Sequence, residues 1–234
     1  MIVFVKIASI FFAGSMLGWT AELFFRRAVH KRWINPGFLA GPCLPLYGSG
    51  ILMLYLICSA DFSFISSPVW RSVFVIVLIT VLMTFLEYIT GLFFTKKMNV
   101  KLWDYSDRFG NIQGIICPLF TFLWGAAGAL YYFFIHGVLT AFTEWMGNNP
   151  VYAFFTGIAA GIFILDVCYS FHIVSRVRAW AKKNEVVVKY EELKLSIRRR
   201  AEKFKQKRSF LFSFRSKNGV EGELESYSAE RDKQ

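Results

Sequence analysis

The sequence predicts an all-α, polytopic membrane protein with five transmembrane helices. Three observations predict it: composition, the length of the apolar runs, and the placement of Lys and Arg. Of 234 residues, 55% are hydrophobic and 18% aromatic, and mean hydropathy is +0.43, an apolar balance that soluble domains of this size rarely reach. Long, nearly uncharged runs cover 2–25, 39–59, 72–95, 114–135 and 151–174. Each meets the roughly 20 residues a helix needs to cross about 30 Å of hydrocarbon. Helices are the natural form, because backbone polar groups in lipid must be satisfied within the segment.

Charge placement tests the count. Arg26, Arg27, Lys31 and Arg32 fill the first connection, and Lys96, Lys97, Lys101 and Arg108 the third. Connections two (60–69) and four (137–150) hold no Lys or Arg, and residues 175–210 carry thirteen against four Asp/Glu. Basic and non-basic connections alternate, as the positive-inside rule requires. That pattern puts the N-terminus outside and the C-terminus in the cytoplasm. Span one does not read as a cleaved signal peptide, since its basic cluster follows the apolar run.

The first and third connections resemble each other. RRAVHKRW at 26–33 sets against KKMNVKLW at 96–103, aligning Lys31 with Lys101 and Trp33 with Trp103; LFF precedes both, and Gly37 and Gly41 match Gly110 and Gly114. Two tandem helix–loop–helix repeats are expected, about 2–59 and 72–135, plus a fifth span at 151–174. They share one orientation, the parallel type of repeat found in transporters. The transmembrane domain is thus 1–174. Residues 175–210 read as a basic amphipathic cytoplasmic helix with a stripe of Leu193, Ile197, Phe204 and Phe210, suited to anionic lipid headgroups. Residues 211–234 read as a polar disordered tail.

Ionisable residues inside spans are costly, and so are candidates for function. Glu22 closes span one and Glu87 lies about two turns deep in span three. A carboxylate here either pairs with a basic residue, Arg26 or a loop Arg such as Arg108, or is functional, with Glu87 as a proton or cation site or as the partner of a cationic substrate group. Asp166 in span five either pairs with a loop Arg or lines a pathway. Asp104, Arg108, Asn111 and Gln113 give the third connection a polar load that no turn requires. Pro42 and Pro45 interrupt span two beside Tyr47, which either frees backbone groups for a ligand or starts the helix late. Gly14-x-x-x-Gly18 and Gly157-x-x-x-Gly161 permit close helix approach.

Several chemistries are not expected. Cys43, Cys58, Cys117 and Cys168 fall inside spans as small apolar filler, and His30, His136 and His172 lie at separate levels, so neither a metal site nor a cofactor is indicated. No P-loop or nucleophilic triad pattern occurs, and nucleic-acid binding has no support beside a bilayer that attracts the same charge.

The runs GW-x-x-E at 18–22, GFLAGPCLPLYGSG at 37–50, EYITG at 87–91, WDYSDRFGNIQGIIC at 103–117 and WG at 124–125 resemble a bacterial membrane family. It is named putative ABC-transporter type IV, or putative ABC transporter permease. The resemblance covers roughly 12–175, and WDYS…NIQG…C is its specific part. In many members the first-copy Cys directly precedes Pro, whereas Cys43 here stands one position earlier. The resemblance implies transport, and any ATPase would be a separate subunit. Three functions follow: a transporter or permease subunit with a polar site near the cytoplasmic face, an enzyme acting on a lipid headgroup or lipid-linked phosphate, or a non-catalytic assembly factor. No catalytic residue is assigned. A homodimer is a further expectation.

Overall fold

The structure, a computed structural model, describes residues 2–149, 151–203 and 219–231. It is overwhelmingly helical: α1 (Ile2–His30), α2 (Pro45–Ser59), α3 (Pro68–Leu92), α4 (Pro118–Leu130), α5 (His136–Asn148), α6 (Val151–Lys183), α7 (Tyr190–Lys203) and α8 (Gly219–Arg231). Helix α3 runs on through one π turn, Phe93–Lys97, and another, Tyr131–Ile135, joins α4 to α5. Two short strands, β1 (Val100–Lys101) and β2 (Val188–Lys189), pair in parallel.

Among the described residues four helices are long and apolar enough to cross a membrane: Ile2–His30, Pro68–Lys97, Pro118–Asn148 and Val151–Lys183. The expected span at 39–59 is helical only over the 15 residues of α2, about 22 Å at 1.5 Å per residue. Its helix starts at Pro45 because a proline fits the first turn, where its missing N–H has no partner to lose. The expected fourth connection is also different. Residues 137–148 continue the helix as α5, since Thr140, Thr143 and Glu144 put their polarity on a helical face, not in a turn. Thr140 donates back to the His136 carbonyl at 2.9 Å.

The chain divides into two compact units. The first comprises Met1–Gly18, Pro45–Thr90 and Tyr105–Gly161. Its core is Leu54, Ile57, Val75, Ile79, Met83 and the fully buried Tyr131. Helices α1 and α2 approach through glycine: a Cβ on Gly48 would stand 2.5 Å from the Phe11 carbonyl oxygen, and one on Gly18 2.4 Å from Tyr47. The Gly14-x-x-x-Gly18 expectation of close packing is met here. A Cβ on Gly157 or Gly161 would meet nothing within 4 Å.

The second unit comprises Trp19–Leu44, Gly91–Asp104 and Ile162–Gln234. Its core gathers Val100 of β1, Val174 and Val177 of α6, Val188 of β2, Leu193 and Ile197 of α7, and Leu224 of α8. The apolar stripe of α7 is therefore turned into protein; Phe204 and Phe210 lie outside the described residues. The tail expected to be disordered forms α8 over Gly219–Arg231. Val220, Leu224 and Tyr227 recur at helical spacing and are buried, and Arg200 pairs with the buried Glu223 at 2.8 Å.

Candidate functional site

In the first unit the third connection folds back on itself. Gln113 and Gly114 both take left-handed backbone conformations, φ 57° and 68°, reversing the chain. The Asn111 amide then ties the bend together. It donates to the carbonyls of Ser106 (3.2 Å) and Arg108 (2.9 Å) and accepts from the Gly114 N–H at 3.0 Å. Tyr105 N–H donates to the Gly114 carbonyl at 2.8 Å. Asn111 is thus an architectural residue. Gln113 donates to the Tyr88 hydroxyl at 3.1 Å. Arg108 is exposed and reaches only the adjacent Asp107, at 3.8 Å.

This closed loop delivers Tyr105 to Glu87. The Glu87 side chain is 4% exposed. Its Oε1 accepts from the Tyr105 hydroxyl at 3.1 Å and its Oε2 from Trp124 Nε1–H at 2.9 Å. Tyr105 is held in turn by a parallel stack on Phe120, centroids 4.2 Å apart, and Trp124 lies against Tyr47 at 6.2 Å. Among the described residues no Lys, Arg or His pairs with Glu87. The ion pair with Arg108 is not formed. One turn earlier on α3, Thr84 meets Thr121 at 3.4 Å, and the buried Ser15 hydroxyl of α1 has no hydrogen-bond partner among the described residues.

In the second unit Glu22, Glu191, Asp104 and Asp166 are all engaged. Glu22 pairs with Arg26 at 3.2 Å, and Arg26 also pairs with Glu191, which holds His30 at 2.8 Å. Asp104 accepts from Lys101 and Lys189, each at 3.1 Å, and this bond raises the Lys189 ammonium above its ordinary range. Among the described residues Asp166 pairs with no loop Arg. Its oxygens accept the N–H groups of Ala40 (3.0 Å) and Gly41 (2.9 Å) and the Ser170 hydroxyl (3.1 Å). The freed backbone ahead of α2 is therefore satisfied by the protein itself, and Pro42 sits at its exposed bend.

Two residues that sequence reasoning passed over complete this clamp. The buried Asn35 amide donates to the Leu39 and Ala40 carbonyls, both at 2.9 Å, and accepts from Trp19 Nε1–H. Lys194 of α7, 5% exposed, donates to the Asn35 and Gly37 carbonyls at 3.0 and 2.8 Å. Burial, with Arg26 adding to it, pushes the Lys194 ammonium down to about 7 against the pull of Glu191 and Asp166.

Residues 9–171 match the family model described as putative ABC-transporter type IV. The chain belongs to this family. In this ABC-transporter type IV member the matched region includes Glu87, the 105–117 bend, Trp124 and Asp166, while Lys194 lies beyond it. Comparison with curated proteins and with solved structures finds no match. The family and the apolar helices together make this a membrane transporter-related, multi-pass protein.

Proposed function

We propose that the protein is a transporter or permease subunit whose working polar site is Glu87 with Tyr105 and Trp124. One observation carries the reading: a buried carboxylate within a span, supplied with two donors and no cation. Paired acids in proteins are commonly architectural, whereas an uncompensated one in a membrane is retained at a cost of several kcal/mol. Asp104, Asn111 and Gln113 are engaged in holding the fold, which weighs against a headgroup-activating enzyme.

The same reading takes α2 as a fifth crossing. Arg26 and His30 bond to Glu191, Lys101 and Lys189 share Asp104, and the Val188 N–H bonds the Asn99 carbonyl at 3.0 Å. Connections one and three and the segment after α6 thus belong to one face of a bilayer. The chain returns to that face between His30 and Lys97 only if α2 crosses as well as α3. The basic charge makes it the cytoplasmic face, with the N-terminus outside. A tandem repeat is supported by Gly37 and Gly110, φ 69° and 65°, each eight residues ahead of a proline, Pro45 or Pro118, that opens a helix. A separate ATPase subunit, a homodimer through the open Gly157/Gly161 face, and anionic headgroups near the basic segment are the partners this reading implies.

Profiling of soluble metabolites and lipids in cells carrying wild type, a deletion or Glu87→Gln tests it. The deletion and Glu87→Gln should change the same soluble solute and leave lipid products unaltered. A changed lipid product with solutes unchanged would overturn transport in favour of the enzyme.

A further inference from the structure

We infer that Glu87 is a reversible proton-binding site, with the proton carried on Oε1 and exchanged through the Tyr105 hydroxyl. The inference rests on the reading of Glu87 as the working site and names the ion it handles. It starts from what each neighbour can do with hydrogen. Trp124 Nε1–H only donates, so Oε2, at 2.9 Å, is held as an acceptor in every state. A hydroxyl both donates and accepts. Tyr105, at 3.1 Å from Oε1, donates to a carboxylate and, after rotation of its O–H, accepts from a carboxylic acid. Both protonation states are therefore hydrogen-bonded without displacing a heavy atom.

The groups facing Glu87 offer hydrogen bonds and no compensating charge. Tyr105 of the 105–117 segment and Trp124 of α4 reach its oxygens, and the Tyr47 ring of α2 lies against Trp124. None carries a formal charge, and Arg108 is exposed beside Asp107. Other acids differ in kind. Asp166 faces two backbone N–H groups, which can only donate, beside the Ser170 hydroxyl, and Glu22 faces the permanent charge of Arg26.

The transfer balances simply. Tyr105, half-buried, passes its hydroxyl proton to Glu87 Oε1 while taking one from a solvent hydronium ion, so the phenol is neutral before and after and water is left behind. The reverse sequence releases the proton, and no redox partner is involved.

Infrared difference spectroscopy on the full-length protein in lipid vesicles, stepped in pH, tests this. A protonated-carboxyl C=O band should grow as pH falls, be missing from Glu87→Gln, and shift in frequency in Tyr105→Phe. Removing either donor weakens the carboxylate form, so Tyr105→Phe and Trp124→Phe should each raise the band's midpoint by about one to two pH units. A band that persists in Glu87→Gln, does not titrate, or ignores Tyr105→Phe would overturn the inference, and Tyr105→Phe keeps the test open if Glu87→Gln misfolds. The two readings fail separately. A titrating Glu87 with solutes indifferent to Glu87→Gln removes transport alone; a silent Glu87 with solutes still dependent on it removes the proton alone.

Discussion

The two units treat buried charge in opposite ways. The second unit answers each of its described buried or half-buried acids: Glu22 and Glu191 with Arg26, Asp104 with Lys101 and Lys189, Glu223 with Arg200, Asp166 with backbone N–H groups. The first unit leaves Glu87 with a phenol and an indole. Compensated charge fixes geometry, because removing one partner strands the other. Uncompensated charge fixes little and can change state. The difference separates residues that build this molecule from the one fitted to do its work.

The sharpest break of that contrast is Arg26→Met. Its guanidinium is buried between Glu22 and Glu191, and its loss strands two carboxylates and the His30 contact. Breaking a buried pair costs about 3–5 kcal/mol. Glu22 and Glu191 keep roughly a quarter of their side-chain surface exposed, which lowers the expectation to about 2–3 kcal/mol. Thermal unfolding in detergent measures it. A loss no larger than that of Glu87→Gln would erase the distinction between the units.

Lys194 offers the next largest effect, and its sign is specific. The folded protein holds this ammonium near 7, whereas the unfolded chain titrates it at its ordinary value near 10.4. Between those values the unfolded state binds more protons, so stability should rise with pH from 7 toward 10, by up to about 1.4 kcal/mol per pH unit. Lys194→Met should abolish that slope, while leaving the Asn35 and Gly37 carbonyls short of a donor. Equal slopes in wild type and variant would show that Lys194 is solvated.

How much of this could be read from sequence follows from the range of each interaction. Hydropathy is local, so the long helices were legible; so was Glu87, because a carboxylate stands out in an apolar run. Its partners were not, since Tyr105 and Trp124 lie 18 and 37 positions away. Asp166 was legible as an intramembrane acid, yet its donors, 125 and 126 positions distant, are backbone groups that no residue type announces. Lys194 is one base in a basic run, and only its burial among Leu193, Leu195 and Ile197 sets it apart. The polar face of α5 and the three apolar residues of α8 were misread because each is sparse: a few positions at helical spacing look like a loop until something packs on them.

The smallest expected effect is the most informative. Glu87→Gln keeps the shape of the side chain and an acceptor for one neighbour, and it removes only a charge that nothing in the first unit compensates. Its cost should therefore stay below about 1 kcal/mol, the range of one neutral hydrogen bond. If Trp124 takes the amide oxygen, Tyr105 must accept from the amide NH2, which its hydroxyl is able to do. Trp124→Phe in the Glu87→Gln background should then cost less than Trp124→Phe alone, because the indole has lost a charged acceptor and kept a neutral one. A double-mutant cycle by thermal unfolding measures that coupling. Full additivity would mean that Trp124 packs beside Glu87 without bonding it, and that the carboxylate depends on Tyr105 alone.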